Sequence, residues 1–331
     1  MGDYNMKWLL IVCLLLSQSA CICTRYIPVE PSEPATAYLP QADQSIISQY
    51  TPIFVVEKSD LQYNRIGTPT IKNESKEFSI FIDTDIPSIY VQELSFIADN
   101  TTFKNYIYRI HFQKVPFSLV PFHLTTGKNV GLMVVVTINE ENNPVLITTV
   151  HTCGCYLGFI PTSFLNAEAF PEGWNFNIQR IYGKRIPGML DLKEDIQAEL
   201  KSKIVILLES GTHRVKWIKT ELIQDIKEKY QILPAHITPM ERLKSLGRNE
   251  STTSFFETTG PRKGYVKGSY KPIERIFMSW WAMDLYVGED KDFGPEEETG
   301  TIFYTSLKFW DRKHSDMWNF YEFLSYWGWN F

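Results

Sequence analysis

His151, Thr152, Cys153, Gly154 and Cys155 close an apolar run, residues 145–150, and place one imidazole and two thiols at alternate positions. In extended backbone alternate side chains share a face, so the three soft groups project together. That is the pattern of a metal or redox site. Zinc holds thiolate sulfur at about 2.3 Å and imidazole nitrogen at about 2.0–2.1 Å, whereas strand residues two apart have Cα atoms nearly 7 Å apart. Both thiols reach one ion only if the chain bends between them, and Gly154 is the residue that allows a bend. The same bend lets the pair close as a disulfide, which needs Cα atoms within roughly 4.4–6.8 Å. Three readings stay open: a metal chelate, a structural or redox-active disulfide, and a pair of buried inert thiols.

If a metal binds, the softness of the ligands favours copper or zinc, with haem less suited. His151, Cys153 and Cys155 leave one ligand to find. His111 is the candidate, with His123 beside it in sequence. Arg109 and His111 share a strand face. His213 and Arg214 stand at a strand end and read as a solvated turn, as does the acidic stretch from Glu289 and Asp290 to Glu298. No serine nucleophile elbow, His-Glu-x-x-His helix or phosphate loop occurs. The six tryptophans Trp280, Trp281, Trp310, Trp318, Trp327 and Trp329 could form a ligand platform, but helical spacing assigns most of them to the core.

The elements that must position these residues change character along the chain. Residues 77–83, 89–96, 105–112, 130–138 and 144–150 read as strands, the last two joined as an antiparallel hairpin across the polar stretch 139–143. Residues 192–201 have helical spacing and 203–209 read as a strand. Thr238, Pro239 and Glu241 form a helix start with Gly247 as its stop. Pro272 opens a stronger helix with Ile273, Ile276, Phe277, Trp280, Trp281 and Leu285 on its apolar face. Ser315 opens a last helix that Gly328 ends. The fold class expected is α+β, a largely antiparallel sheet with helices packed on it.

With 44% hydrophobic and 14% aromatic residues the chain of 331 residues has ample core, and its net charge of -5 comes with no long basic stripe. Nucleic acid is therefore not an expected partner. The N-terminus carries Lys7, a short apolar run over 8–16, and Ser19-Ala20-Cys21. This resembles the lipobox of bacterial lipoproteins, with Gln18 standing where leucine is usual. The resemblance implies a signal peptide over 1–20 and lipid attachment at Cys21. With Ile22 rather than Asp after it, the implied address is the outer membrane of a bacterial cell envelope, facing the periplasm or the surface. Spaced prolines over 24–45 read as a tether, giving a lipid-anchored tether over 21–45 and a single body over 46–331, β-rich to 165 and mixed α/β from 166. The reading that follows is an exported, lipid-anchored metal-binding or redox accessory protein centred on His151, Cys153 and Cys155. The alternative is a non-catalytic envelope module that binds or assembles with a partner protein and in which the cysteines staple a turn.

Overall fold

The computed structural model describes residues 34–41, 46–74, 77–192, 202–248 and 251–331. The expected signal peptide, Cys21 and nearly all of the helix over 192–201 lie outside them. Residues Glu33–Phe331 form one compact unit.

Sixteen strands occur among the described residues. In chain order they are β1 (Ala35–Pro40), β2 (Ile53–Glu57), β3 (Thr68–Glu74), β4 (Glu77–Asp83), β5 (Ser88–Ala98), β6 (Thr101–Val115), β7 (Gly127–Ile138) and β8 (Pro144–His151). Then follow β9 (Gly158–Pro161), β10 (Ile178–Ile181), β11 (Lys184–Pro187), β12 (Ser202–Leu208), β13 (Val215–Leu222), β14 (Gln231–Pro239), β15 (Leu246–Arg248) and β16 (Ser251–Thr253). The helices are α1 (Ile46–Tyr50), α2 (Ile223–Lys229), α3 (Pro272–Ala282), α4 (Glu296–Thr299) and α5 (Phe320–Tyr326).

Ten strands make one curled sheet in the order β13-β12-β2-β1-β14-β5-β6-β7-β8-β9. Three of its joins, β12/β2, β1/β14 and β14/β5, are parallel, and the others are antiparallel. The expected α+β class is corrected here. Strand accounts for 43% of the structure against 17% for helix, and the five α-helices among the described residues are short. The physical reason lies in the curl. One face of the sheet closes on itself, so that residues from all ten strands, among them Tyr38, Phe54, Tyr108, Ile147, Ile206 and Ile218, meet in one core. No helical layer is needed to bury that face. The other face is covered in two places. Over β5–β9 lie loops and short helices of the C-terminal segment, through Phe255, Phe303, Met317, Phe323 and Trp329. Over β1, β2 and β12 lies α2, through Ile226.

The expected tether is corrected in part. Residues 35–40 form β1, buried over Ala35–Tyr38 and held between β2 and β14 in the middle of the sheet. Pro34 and Pro40 bracket it, where a proline costs no interior ladder bond. The helix expected from Thr238 is replaced by a 3-10 turn over Met240–Lys244, because Thr238 is consumed by β14 and Gly247 by β15. The hairpin β7–β8 forms as the sequence suggests, with Leu132 opposite His151. Helix α3 also forms, opened by Pro272. Its orientation is the reverse of the one expected: Ile276, Phe277, Trp280, Trp281 and Leu285 are exposed, and Glu274 is buried.

Candidate thiol site

Strand β8 ends at His151 and the chain turns at once. The His151 N–H donates to the Cys155 carbonyl at 2.9 Å, and the Gly154 N–H donates to the His151 carbonyl at 2.8 Å. Gly154 sits at φ +92°, and a Cβ there would lie 2.1 Å from the carbonyl oxygen of Tyr304. Only glycine meets both demands. The bend brings the two cysteine side chains close enough for each to shift the other's titration. Both are free thiols, Cys153 buried and Cys155 partly exposed.

Two further elements deliver charge to this turn. Lys271 and Glu274 come from the start of α3, and Asp290 and Lys291 come from the segment that follows it. Lys271 Nζ lies 3.1 Å from Asp290 Oδ2, with both side chains almost wholly buried. Asp290 Oδ1 accepts the Gly131 N–H at 3.2 Å and the Thr152 hydroxyl. The Lys271 stem passes over Gly127, where a Cβ would lie 2.8 Å from its Cγ. Cys155 Sγ donates to Glu274 Oε1 at 3.6 Å. The glutamate packs on Gly288, which leaves no room for a Cβ. Lys291 Nζ donates to the Cys153 carbonyl at 2.8 Å and lies 4.4 Å from the centre of the Tyr304 ring. On the open side stand Tyr156 and Tyr182, their rings 4.7 Å apart, with Tyr182 largely exposed.

The electrostatics follow from this packing. When the Cys155 S–H turns from Glu274 to Cys153 it lowers the Cys153 thiol; burial opposes that, and the Lys271 charge supports it. Cys155 is held well above its ordinary value by the same hydrogen bond and by burial. The first proton of the pair therefore leaves more readily than the second. Burial works against the Lys271 ammonium, but Asp290, the thiolates and Glu274 outweigh it and hold it charged. Burial raises the Glu274 carboxyl, with Lys271 pulling the other way, and its Oε1 is the acceptor that faces the Cys155 S–H.

The histidines go elsewhere. His151 faces the interior of the curled sheet with Leu132, its neighbour across the strands. Its Nε2–H donates to the His213 carbonyl at 3.2 Å, its ring meets Tyr156 at 4.7 Å, and burial pushes it down to about 3. His111 pairs with Gly131, one residue out of step with Leu132, and so lies on the opposite face. There it is enclosed by Tyr90 and Phe255. The sheet separates the two imidazoles. His123 bonds its Nδ1 to the Pro116 carbonyl at 2.9 Å. His213, read from sequence as part of a solvated turn, is buried and stacked on Phe112 at 3.9 Å. Among the described residues no group of three or more His, Cys, Asp and Glu side chains is placed to hold a metal ion.

Lys271, Glu274 and Asp290 escaped the sequence reading because they lie far from Cys153 along the chain and because Asp290 read as part of a solvated turn. One signal existed: Glu274 is a charged residue in the first turn of α3, which Pro272 opens. Measured against family models, curated proteins and solved structures, the chain matches none.

Proposed function

We propose that the Cys153–Cys155 turn is a thiol–disulfide exchange site and that the protein is a redox accessory protein of the cell envelope, anchored through Cys21. The observation that carries this reading is a pair of free thiols one residue apart on a glycine turn, one buried and one partly exposed, beside the buried Lys271. A thiolate is the nucleophile in exchange, and a neighbouring cation and hydrogen-bond donor favour it.

The chemistry balances without a further cofactor. Cys155 gives its proton to Glu274, and its sulfur attacks one sulfur of a substrate disulfide. The substrate bond breaks, and the first thiolate leaves with the proton from Glu274. The Cys153 thiolate, already poised by Lys271, then attacks Cys155 Sγ. The second substrate thiolate leaves and takes a proton from water. Two electrons pass from the dithiol to the substrate, and the protein is left with one Cys153–Cys155 disulfide. Run backwards, the same steps oxidise a substrate dithiol.

The geometry favours this branch over the metal branch. His151 is engaged with the His213 carbonyl, and a metal cation between the sulfurs would meet the Lys271 ammonium. Equilibration with reduced and oxidised glutathione, followed by alkylation and intact mass, tests the proposal. The expected result is one two-electron transition shared by both cysteines and unaffected by a chelator, with Cys153→Ser trapped as a mixed disulfide through Cys155. Independent reaction of both thiols, with no internal disulfide in any buffer, would overturn it.

A further inference from the structure

Helix α3 is amphipathic in the wrong sense for a helix packed on a core. Ile276 is 71% and Trp280 70% exposed, while the charged Glu274 is 4% exposed. The apolar residues fall at helical spacing along one outward stripe that Phe277 and Trp281 complete. Beside it stands the loop between β6 and β7, whose tip carries Phe117, Leu119, Phe122 and a Val120 that is 92% exposed. Phe122 meets Phe277 edge-on at 6.3 Å, so loop and helix share one surface. At the other end of α3, Arg312 donates to the Ala282 carbonyl and brings up a turn with Phe309 and Trp310, both exposed.

Soluble surfaces rarely carry a continuous apolar patch of this kind without a use for it. We infer that α3 and the β6–β7 loop dip into the interfacial layer of a lipid bilayer with anionic headgroups. Charge placement selects that occupant. Glu274, Glu289 and Asp290 are buried, and Asp284 is held by the Tyr304 hydroxyl at 2.5 Å. Lys128, Arg275 and Lys313, which lie near the apolar residues in sequence, are exposed. Aromatic and aliphatic tips rimmed by Lys and Arg are the pattern of interfacial insertion, and the cations complement anionic headgroups. The apolar tips come from a helix, a loop and a turn and are strongly exposed, which suits a fluid layer better than a shaped protein partner. Insertion would hold Cys155, on the inner side of the same helix, close to the membrane surface.

The test uses Glu33–Phe331, the compact unit that closes its own cores and carries neither the apolar N-terminal run nor Cys21. It is mixed with vesicles of phosphatidylglycerol and phosphatidylcholine, and with vesicles of phosphatidylcholine alone. The expected result is co-sedimentation with the anionic vesicles, weakened by salt, with tryptophan emission shifted to the blue and quenched by brominated acyl chains. Trp280→Ser with Trp281→Ser should lower the affinity about tenfold or more while leaving the circular dichroism and the glutathione equilibrium of the cysteines unchanged. Lack of vesicle binding would overturn the inference. So would binding that the double variant leaves intact, or a concentration-dependent dimer that the double variant abolishes. None of these outcomes bears on thiol exchange, which is read separately.

Discussion

Two polar clusters are buried against strands β6–β8, and they are built differently. Around the thiols the central charges are paired, Lys271 by Asp290 and Asp290 in turn by the Gly131 N–H and the Thr152 hydroxyl, while Glu274 Oε2 has no hydrogen-bond partner. The outer side of this cluster opens beside Tyr182. The other cluster is Arg109 with His111. Arg109 gives one bond, Nη1 to the Lys291 carbonyl at 2.9 Å, and lies over the Phe256 ring. Its Nε and Nη2, and both nitrogens of His111, have no hydrogen-bond partner. Aromatic rings seal it. Buried polarity is thus not what distinguishes the proposed exchange site. Pairing that keeps charge in place, together with a route to solvent, does so.

The sharpest way to break that contrast is Lys271→Met. It leaves Asp290 buried and uncompensated, so urea unfolding at neutral pH should show a loss of about 3–5 kcal/mol. Alkylation of the cysteines should also slow, because the thiolate loses its cation. Restoring stability with Asp290→Leu on top would confirm that the loss was an orphaned charge, whereas a Lys271→Met protein as stable as the original would refute the pairing.

Next in size is Gly154→Ala. Left-handed strain alone costs about 1–3 kcal/mol, and the Tyr304 carbonyl stands where the methyl must go. Gly183 has a similar φ of +81° with nothing within 4 Å. Its alanine variant should lose only the left-handed strain, about 1–2 kcal/mol, and Gly154→Ala correspondingly more. Equal melting temperatures for the two variants would contradict the packing described for the turn.

The histidines sharpen the comparison through pH. Burial holds His151 and His213 down at about 3 and His111 well below its ordinary value. The unfolded chain titrates near pH 6.5, so below that it binds protons the folded chain refuses. Stability present above about pH 6.5 is then lost as pH falls toward 3, by up to ~1.4 kcal/mol per pH unit for each imidazole. His111→Phe should flatten that slope and cost little at neutral pH, since it removes two unpartnered nitrogens from an aromatic cage. His151→Phe should flatten it too, but lose about 1–3 kcal/mol with the bond to His213. Denaturant midpoints at two pH values decide whether the variants differ in this way.

The smallest effect concerns reactivity alone. Glu274→Gln keeps the shape beside Cys155 but removes the base, so thiol alkylation at neutral pH should slow on the order of tenfold. An unchanged rate would leave Glu274 with a packing role only.

What the sequence made legible was local. The β7–β8 hairpin could be read from two apolar runs around a polar turn, the bend at Gly154 from the demands of two nearby thiols, and α3 from Pro272 and its spacing. The direction in which α3 faces could not be read, because apolar periodicity marks a stripe without saying what lies against it. The stripe goes outward because Lys271 and Glu274 are drawn inward by Asp290 and the cysteines, partners that only the folded chain assembles. Strand β1 was missed for a related reason. Its flanking prolines dominate the local composition, and what makes residues 35–40 a strand is the pair of distant neighbours that accept it.

Those neighbours set a schedule. Thr36 pairs with Val56, which is soon available, but on its other side with Gln231. A chain built from its N-terminus presents β1 long before β14 exists. Until then one edge of the first strand is unsatisfied, and β2 likewise waits for β12 to join it in parallel. Non-local parallel joins of this sort close late and slowly, and open strand edges recruit other chains in the interval. Nascent chains of this protein therefore need shelter until residue 239 has emerged, and a transcript cut short before β14 yields an aggregating product rather than a smaller folded one.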